Sequence, residues 1–236
     1  MARRRVNTTK YEIIQKATEL FLEKGYTATT PKMICDALDI STGNLTYYFP
    51  TKETLLAVLV ELFCKFQSKT LQELVAEEGK TSLLAVCLEM ATVVAISEEE
   101  MIIRDVFQSF YLNPLCLEYI RTNDTKRSKH IYAEFCPDWT DEQYIEAEIL
   151  VSGIEYATLM TDPGVLPIED RLTGALNNMM TIFNVPEEIR KQKIQKVLNI
   201  DYQTMAKDKL IEFKEFVAMS TDQILENLLK KDPADN

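Results

Sequence analysis

Residues Thr30–Leu55 read TPKMICDALDISTGNLTYYFPTKETL and contain two short helical patterns separated by a break. In the first pattern Ile34, Ala37 and Leu38 recur at helical spacing, so that one face of a helix can be buried. The break ends at Ser41, whose hydroxyl can accept a hydrogen bond from a backbone N–H two or three residues later. The segment therefore predicts two short helices joined by a tight turn.

The second pattern, residues 42–47, is too polar for a helix that lies wholly in a core. Leu45 and the following Tyr48 supply its inward anchors, and the other positions are small or form hydrogen bonds. A polar helix that a core braces on one side suits insertion into the major groove of DNA. These features predict a helix-turn-helix whose small core is closed by Phe49.

Residues Ile34–Leu55 follow the string I-C-x-A-x-x-I-S-x-G-x-L-x-x-Y-F-x-x-K-E-x-L, which closely resembles the DNA-binding signature of the TetR family of bacterial transcriptional regulators. The resemblance covers about the first quarter of the chain and agrees in order and spacing. Three positions differ, because Cys35, Asp39 and Thr46 stand where the family often has Ala, Gly and Tyr. Asp39 is compatible with a turn, since Asp adopts left-handed conformations more readily than most residues. Thr46 faces the expected position of DNA.

The resemblance implies an all-α fold, in which a three-helix helix-turn-helix unit precedes a larger helical domain. We assign residues 1–56 to the DNA-binding domain, with a basic arm at residues 1–8, and residues 57–236 to an effector-binding and dimerisation domain. Composition independently favours helices, because the 236 residues include only 6 Gly and 8 Pro. An amphipathic helix is predicted from Thr9 to Gly25, and a fourth helix runs from Lys52 towards Gly79. Breaks at Pro and Gly predict later helices over residues 82–96, 98–112, 115–135, 141–161, 168–183, 187–198 and 202–230.

The net charge of −11 is unevenly distributed along the chain. Residues 1–56 contain eight Lys and Arg against six Asp and Glu, whereas the remainder contains eighteen against thirty-one. An acidic body repels DNA and leaves the more basic N-terminal end as the part that can approach it. Charge distribution therefore agrees with DNA as a partner.

Two groups of residues are expected to contact DNA differently. Asn44 and Thr42, together with Thr46, reach base edges, and Gly43 permits close approach of the backbone. Phosphates are expected to be held by Thr30, Ser41, Tyr47 and Lys52, which set the register on the duplex. The basic arm offers two interpretations, since its arginines either contact phosphates and the adjacent minor groove or form a solvated tail. These arginines are Arg3, Arg4 and Arg5.

A ligand cavity is expected among the middle helices of the larger domain. Apolar walls with a few phenol hydroxyls suit a small apolar or amphipathic effector. The alternative is that the same aromatic and Met side chains form ordinary core. The candidate residues are Met90, Phe107, Phe110, Tyr111, Cys116, Tyr119, Tyr156 and Met160.

A dimer face is expected on the late helices, because one helix-turn-helix reads only a half-site and specific binding needs two units about one helical turn (~34 Å) apart. Two apolar stripes at helical spacing could form an intermolecular four-helix bundle. The alternative is that both stripes pack within one subunit. The candidate residues are Leu172, Leu176, Met179, Met180, Phe183, Phe213, Phe216 and Val217.

Other classes of function find little support in the sequence. The single His130 lies among basic residues, and the sequence contains no phosphate-binding Gly-rich loop, zinc-type spacing or nucleophile motif. Five dispersed cysteines and the absence of an apolar run that could span a bilayer indicate reduced thiols in a cytoplasmic protein without a membrane partner. No cofactor, metal or catalytic residue is expected.

The sequence therefore predicts a ligand-responsive, DNA-binding transcriptional regulator. We expect a homodimeric repressor that binds an inverted-repeat operator and is released by a small-molecule effector. The alternative is a helical interaction module that acts through protein partners and has a repurposed DNA-binding unit.

Overall fold

A computed structural model describes residues 2–76, 81–162 and 164–230, and the side chains of residues 9–76, 81–162 and 164–222. Within these ranges the regular secondary structure is entirely α-helical, so the predicted all-α fold is confirmed. The helices are α1 (Ala2–Lys24), α2 (Pro31–Leu38), α3 (Thr42–Tyr48), α4 (Lys52–Ala76), α5 (Ser82–Glu99), α6 (Met101–Leu112), α7 (Pro114–Ile131), α8 (Asp141–Met160), α9 (Ile168–Ile182), α10 (Glu187–Leu198) and α11 (Tyr202–Lys230).

The helix bounds follow the predicted ones closely after the first helix. α1 begins at Ala2 rather than Thr9, and α7 ends at Ile131 rather than Phe135. Gly79, which was predicted to end α4, lies outside the described residues.

The N-terminal unit packs α1 beneath α2 and α3. The apolar stripe of α1 includes Ile13 and Phe21, both fully buried, and it meets Ile34 of α2. Leu45 and Phe49 complete this core at 2% and 7% exposure. These inward side chains fix the position of α3 while its other face stays in solvent.

The larger bundle surrounds α5, which is apolar on nearly all sides and is buried over most of its length. Such a helix requires neighbours around its whole circumference, and α4, α6, α8, α9, α10 and α11 supply them. An aromatic cluster fastens α4 to α6 and α11, because the Phe63 ring centroid lies 5.1 Å from that of Phe107 and 5.5 Å from that of Phe213.

Helix α4 is continuous across the predicted domain boundary near residue 56. Its first turns bury Leu55 and Leu56 near the N-terminal unit, and later turns bury Phe63 and Phe66 in the larger bundle. α1 also contacts α6 and α11, so the two parts share several helix contacts. No helix of the described residues is long and apolar enough to cross a membrane.

Candidate functional site

Local features fix the start of α2 and the turn between α2 and α3. Thr30 caps α2 by accepting a hydrogen bond from the Met33 N–H at 3.3 Å, and Pro31 occupies the first helical position. Asp39 adopts the left-handed conformation (φ 52°, ψ 46°) that ends α2, a conformation that Asp tolerates better than most residues. Ser41 then caps α3 by accepting from the Asn44 N–H at 3.1 Å.

Helix α3 presents its polar residues on one exposed surface beside this turn. The exposed positions are Thr42, Gly43, Asn44, Thr46 and Tyr47. Tyr47 is 76% exposed, and its ring contacts the chain edge-on at Tyr48, with the two ring centroids 5.0 Å apart. The exposed surface of α3 therefore combines hydrogen-bonding groups, a glycine and an aromatic ring.

Gly43 is not required by the fold. A Cβ at this position would meet only the Ser41 hydroxyl oxygen, at 3.9 Å, which is ordinary van der Waals contact. The protein therefore leaves space above Gly43, and a small residue there allows another molecule to approach the backbone of α3 closely.

Thr46 differs from its neighbours because its hydroxyl is already used. It donates to the carbonyl oxygens of Thr42 and Gly43 at 3.0 and 3.3 Å. A bond of this type holds the side chain against its own helix. By contrast, the capping hydroxyls of Thr30 and Ser41 accept hydrogen bonds, so each retains a hydrogen to donate outward.

Lys52 has an internal role that sequence reasoning missed. Its ammonium group donates to the carbonyl oxygens of Tyr26 and Thr29 at 2.8 and 2.9 Å and lies 3.9 Å from the centroid of the Tyr26 ring. An ammonium group has three N–H donors, so one remains for an external acceptor. The side chain thus ties the α1–α2 loop to the start of α4, whatever else it contacts. The side chains of Arg3, Arg4 and Arg5 lie outside the described residues.

Helix α6 is joined to the N-terminal unit by Asp105. Its carboxylate accepts hydrogen bonds from the Thr27 N–H at 2.8 Å and from the Thr27 hydroxyl. Gly25, in the left-handed conformation (φ 87°), leaves room for this carboxylate, because a Cβ there would stand 2.7 Å from an Asp105 oxygen. The opposite side of α6 faces the interior of the larger bundle.

A cavity of about 60 Å³ lies inside the larger bundle, between α4, α5, α6, α7, α8 and α9. Its apolar wall includes the aromatic rings of Phe107, Phe110, Tyr132 and Phe183. A second cavity of about 40 Å³ adjoins it and shares Phe63 and other lining residues. The space accommodates a few water molecules and is smaller than the pockets that enclose organic ligands.

The polar part of the wall centres on Arg127. Its guanidinium donates to both oxygens of Glu89, at 3.1 and 2.6 Å, and to Asp124 at 3.1 Å. Gln67 adds a hydrogen bond to Glu89 at 2.7 Å. Burial alone would lower the pKa of Arg127, but the two carboxylates outweigh it and raise that pKa, so the guanidinium stays charged.

Two further carboxyl groups, Glu148 and Glu155, reach the cavity from one face of α8. Glu148 is 3% exposed and accepts a hydrogen bond from the Ser128 hydroxyl, and Glu155 accepts one from the Tyr111 hydroxyl at 3.0 Å. Burial, helped by the Asp124 charge, raises the pKa of Glu148 to about 8. Burial and the same neighbouring charge raise the pKa of Glu155 well above its ordinary value. Sequence reasoning missed these residues, because it searched the middle helices for apolar and phenolic side chains.

The residues predicted to line a ligand cavity divide into two sets. Those at the cavity wall are Met90, Phe107, Phe110 and Tyr111. Those placed elsewhere are Cys116, Tyr119, Tyr156 and Met160. Cys116 is fully buried in another part of the core, while Tyr119 and Met160 are 37% and 41% exposed. Helical spacing locates an apolar face but does not distinguish a cavity wall from filled core or from the outer surface.

The residues predicted to form a dimer face are mostly buried by the chain itself. Those below 9% exposure are Leu172, Leu176, Met179, Met180, Phe183, Phe213 and Val217. The remaining one, Phe216, is half-buried and its ring centroid lies 5.7 Å from that of Phe66. This burial agrees with the alternative that both stripes pack within one subunit, so the dimer face on these residues stays a prediction.

An exposed apolar face is instead found on α8. We call it the α8 stripe, and it consists of Ile145, Ile149, Leu150, Gly153, Ala157 and Met160. Ile145, Ile149 and Leu150 are 50%, 47% and 53% exposed. The opposite face of the same helix carries Glu148 and Glu155, so α8 has one side towards the cavity and one towards solvent.

The five cysteines are all buried and unpaired. Burial raises the pKa of Cys87 and of Cys116 to about 12, so these thiols stay protonated and weakly nucleophilic at neutral pH. His130 is exposed near the end of α7.

Comparisons with known proteins find similarity over the N-terminal unit. Residues 13–59 match the sequence profile described as bacterial regulatory proteins, tetR family. The probable HTH-type transcriptional regulator YttP of Bacillus subtilis (strain 168) is 37% identical over 65 residues, which are 28% of this chain and 31% of that protein. The HTH-type transcriptional regulator QacR of Staphylococcus aureus (strain Mu50) is 42% identical over 53 residues, which are 22% of this chain and 28% of that protein.

The matched segments span about a third of the length of these curated relatives, both of which are described as transcriptional regulators. A crystal structure of a gamma-butyrolactone receptor, described as an ArpA-like protein, superposes with a TM-score of 0.42 at 18% identity. That superposition covers 89% of this chain and 99% of the receptor chain.

Proposed function

We propose that the chain is a homodimeric, DNA-binding transcriptional repressor of the TetR family that is released by a small ligand. The match of residues 13–59 to the tetR-family profile supports this proposal. The proposal divides the chain as the sequence suggested, with residues 1–56 binding DNA and residues 57–236 binding the effector and the second subunit.

The exposed surface of α3 is the single observation that best supports DNA binding. Thr42 and Asn44 offer hydrogen-bonding groups towards base edges, and the open space above Gly43 allows the duplex to come close. Thr30 and Ser41 each retain a hydroxyl hydrogen that can reach a phosphate, and Tyr47 projects beside them. Thr46 contributes less than its position suggested, since its hydroxyl hydrogen bonds within α3.

Dimerisation is supported by the requirement for two half-sites and by the α8 stripe. A single short helix reads too few base pairs for specific binding, whereas a two-fold dimer presents α3 to two successive major grooves. Burial of Ile145, Ile149 and Leu150 against a second copy would remove an apolar face from water. Gly153 and Ala157 on the same stripe would let the two helices approach closely.

Helix α6 supplies a physical connection between the cavity and the DNA-binding unit. Phe107 and Tyr111 line the cavity, while Asp105, two and six residues earlier, holds Thr27 of the α1–α2 loop. A ligand larger than the present 60 Å³ cavity must move the cavity wall, and a shift of α6 would be transmitted to the loop. The ligand then favours a state in which the two α3 helices no longer match adjacent grooves.

Selection of bound sequences from random duplex DNA tests this proposal. The purified chain should enrich an inverted repeat with half-site centres about one helical turn apart. The matched control is the Asn44→Ala, Thr42→Ala double variant, which keeps the α3 anchors and should enrich no sequence. Enrichment of nothing by the wild-type chain, with an intact fold and a dimer in solution, would contradict the proposal.

A further inference from the structure

A surface groove of about 570 Å³ lies between the start of α5, the end of α7 and α10. Its lining shares only Ile131 with the lining of the interior cavity. Val75, near the last residue of α4, belongs to its wall, whereas the first turns of α4 lie beside α2 and α3. These two ends of the 25-residue helix are about 35 Å apart. The groove is therefore remote from α3, and the proposed function assigns no role to it.

Lys193 of α10 is a buried cation at this groove. The residue is 8% exposed, and its ammonium group donates to the Thr81 hydroxyl at 2.7 Å. Its other two N–H groups have no acceptor, and its charge forms no ion pair, within the part of the chain that the structure describes. Burial, and next the Lys196 charge, lower the pKa of Lys193. Because lysine is seldom buried unless it is paired, an anion bound here would stabilise the charge.

The N-terminus of α5 faces the same groove through Thr81, Ser82 and Leu83. The Thr81 hydroxyl caps this helix by accepting from the Leu84 N–H at 3.3 Å, and it also accepts from Lys193. The N–H groups of Ser82 and Leu83 precede the first intrahelical bonds. The first turn of α5 contains no acidic residue that would offset the partial positive charge of the helix end. A lysine ammonium beside that end adds to the positive potential, and one anion would stabilise both groups.

The rest of the groove offers hydrogen-bond donors and apolar surface. Gln192 and His130 are exposed at its edge, and the half-buried side chains of Phe135 and Ile189 form part of its wall. Glu134 is the one acidic side chain among the lining residues. It is exposed and acts on the buried ammonium group only over a longer distance than an ion pair. The groove can therefore hold an apolar body next to a positive site.

We propose that this groove binds a small organic acid. Its carboxylate lies between the Lys193 ammonium group and the first N–H groups of α5, and its apolar chain lies along Phe135 and Ile189. One buried cation and one helix end match a single negative charge, and apolar walls favour an organic body over a hydrated inorganic anion. The inference goes beyond the proposed function, because neither DNA nor the interior cavity takes part in this binding.

Titration of the full chain with three eight-carbon probes tests the inference. Octanoate carries the carboxylate, octanamide is its neutral analogue, and octylammonium carries the opposite charge. Isothermal titration calorimetry should show that octanoate binds at least about tenfold more tightly than either other probe, because only octanoate compensates the buried ammonium group.

His130 reports where octanoate binds, because it is the single histidine of the chain and lies at the groove. It does not line the interior cavity. With isotope-labelled histidine, the ring C–H signals in nuclear magnetic resonance spectra should shift on addition of octanoate. The shift should follow the same saturation curve as the heat of binding.

Two variants assign the binding to the groove. Lys193→Met keeps most of the apolar length of the side chain and removes the charge, so octanoate should bind at least about tenfold more weakly. Gln192→Glu adds a negative charge at an exposed position of the groove and should weaken octanoate about threefold or more, since an exposed charge is partly screened. Lys191→Met and Gln195→Glu are the matched controls, because both residues are exposed on α10 outside the groove lining. Both controls should bind octanoate as wild type does, and octanamide affinity should be the same in all four variants.

The inference is wrong if octanoate binds no more tightly than octanamide, or if it binds without shifting the His130 signals. Wild-type octanoate affinity in Lys193→Met, with a fold verified by circular dichroism, would also contradict it. If Lys193→Met does not fold, Gln192→Glu decides, because that exposed position tolerates the change and an unchanged octanoate affinity there rules out the groove.

Discussion

Gly43 is a residue that the fold does not require but that a bound DNA duplex would require. Within the chain an alanine would fit, because a Cβ there meets only the Ser41 oxygen at 3.9 Å. We expect Gly43→Ala to leave the fold intact and to stabilise α3 by up to about 1 kcal/mol, since Ala is the better helix former. DNA affinity should nevertheless fall about tenfold or more, because the added methyl group occupies the space that the duplex needs.

Thermal unfolding and DNA titration of the same preparation measure the two effects of Gly43→Ala. A variant that melts at a lower temperature than wild type would show that Gly43 serves the fold instead of the DNA contact.

Lys52 is expected to contribute to the free energy of unfolding as well as to any contact with DNA. Lys52→Ala removes two charge-assisted hydrogen bonds to the carbonyls of Tyr26 and Thr29, at a cost on the order of 1–3 kcal/mol. Lys32→Ala is the control, because Lys32 is an exposed lysine of α2 whose removal changes net charge equally. Urea denaturation should show a lower midpoint for Lys52→Ala alone. Equal midpoints would leave Lys52 with only the phosphate contact that the sequence suggested.

For individual residues, the sequence predicted the local backbone conformation better than it predicted contacts between side chains and distant parts of the chain. Asp39 at the turn and Ser41 as a cap could be foreseen, since each depends on neighbours only a few residues away. The internal bonds of Lys52 could not, because its partners belong to a loop more than twenty residues earlier. Glu148 and Glu155 were missed for the same reason, since nothing local indicates that two glutamates of α8 point inward.

At the scale of the element, α6 joins the cavity to the DNA-binding unit through its contact with α1 and through the Asp105 carboxylate. Asp105→Asn removes the negative charge that accepts both hydrogen bonds and leaves one acceptor oxygen, so that the Thr27 hydroxyl must turn to accept from the amide. This should weaken the contact and loosen the α1–α2 loop by about 1 kcal/mol. Hydrogen–deuterium exchange of residues 25–30 should become faster. Gln108→Ala, on the same helix but bonded to the Leu159 carbonyl, should leave that exchange unchanged. Unaltered exchange in Asp105→Asn would exclude this connection.

The α8 stripe is expected to hold two subunits together. Ile149→Glu places a charge in the centre of the stripe, and burial of an unpaired charge is strongly unfavourable. Sedimentation analysis should show monomers and DNA titration should show loss of specific affinity. Ile211→Glu serves as the control, since Ile211 is 57% exposed on α11, away from the stripe. Dimers of Ile149→Glu with wild-type stability would place the interface elsewhere.

The bounds of most helices were predicted well, whereas the sequence left open whether the apolar faces of the late helices pack within one subunit or against a second one. Leu172 and Leu176 repeat at the spacing of a helix face, and that spacing is equally compatible with burial by a second chain or by the same chain. Because α5 needs neighbours on all sides, α9 and α11 turn their apolar faces inward to cover it. The α8 stripe went unnoticed because α8 is apolar on two faces and has no single dominant one.

For the whole molecule, the buried carboxyl groups predict how stability depends on pH. The pKa of Glu148 is raised in the folded chain to about 8, so the folded state prefers its protonated form. Its contribution is fully present below the pKa of the unfolded chain and is lost as pH rises through the folded value. Between about pH 5 and pH 8, wild type should lose stability relative to Glu148→Gln by at most about 1.4 kcal/mol per pH unit.

Urea denaturation of both proteins at several pH values measures this difference, with Glu146→Gln as the exposed control. Parallel curves for wild type and Glu148→Gln would show that Glu148 stays ionised throughout the range.

Because all five cysteines are buried, distances in the protein can be measured with spin labels on introduced cysteines. Thiol reagents require an accessible thiolate, and none of the native side chains offers one readily. A cysteine introduced at an exposed position of α2, as in Asp36→Cys, would therefore take up a spin label selectively without removal of the native cysteines. Each subunit of a dimer would carry one label. Double electron–electron resonance would then measure the distance between the two DNA-binding units, with and without an added ligand.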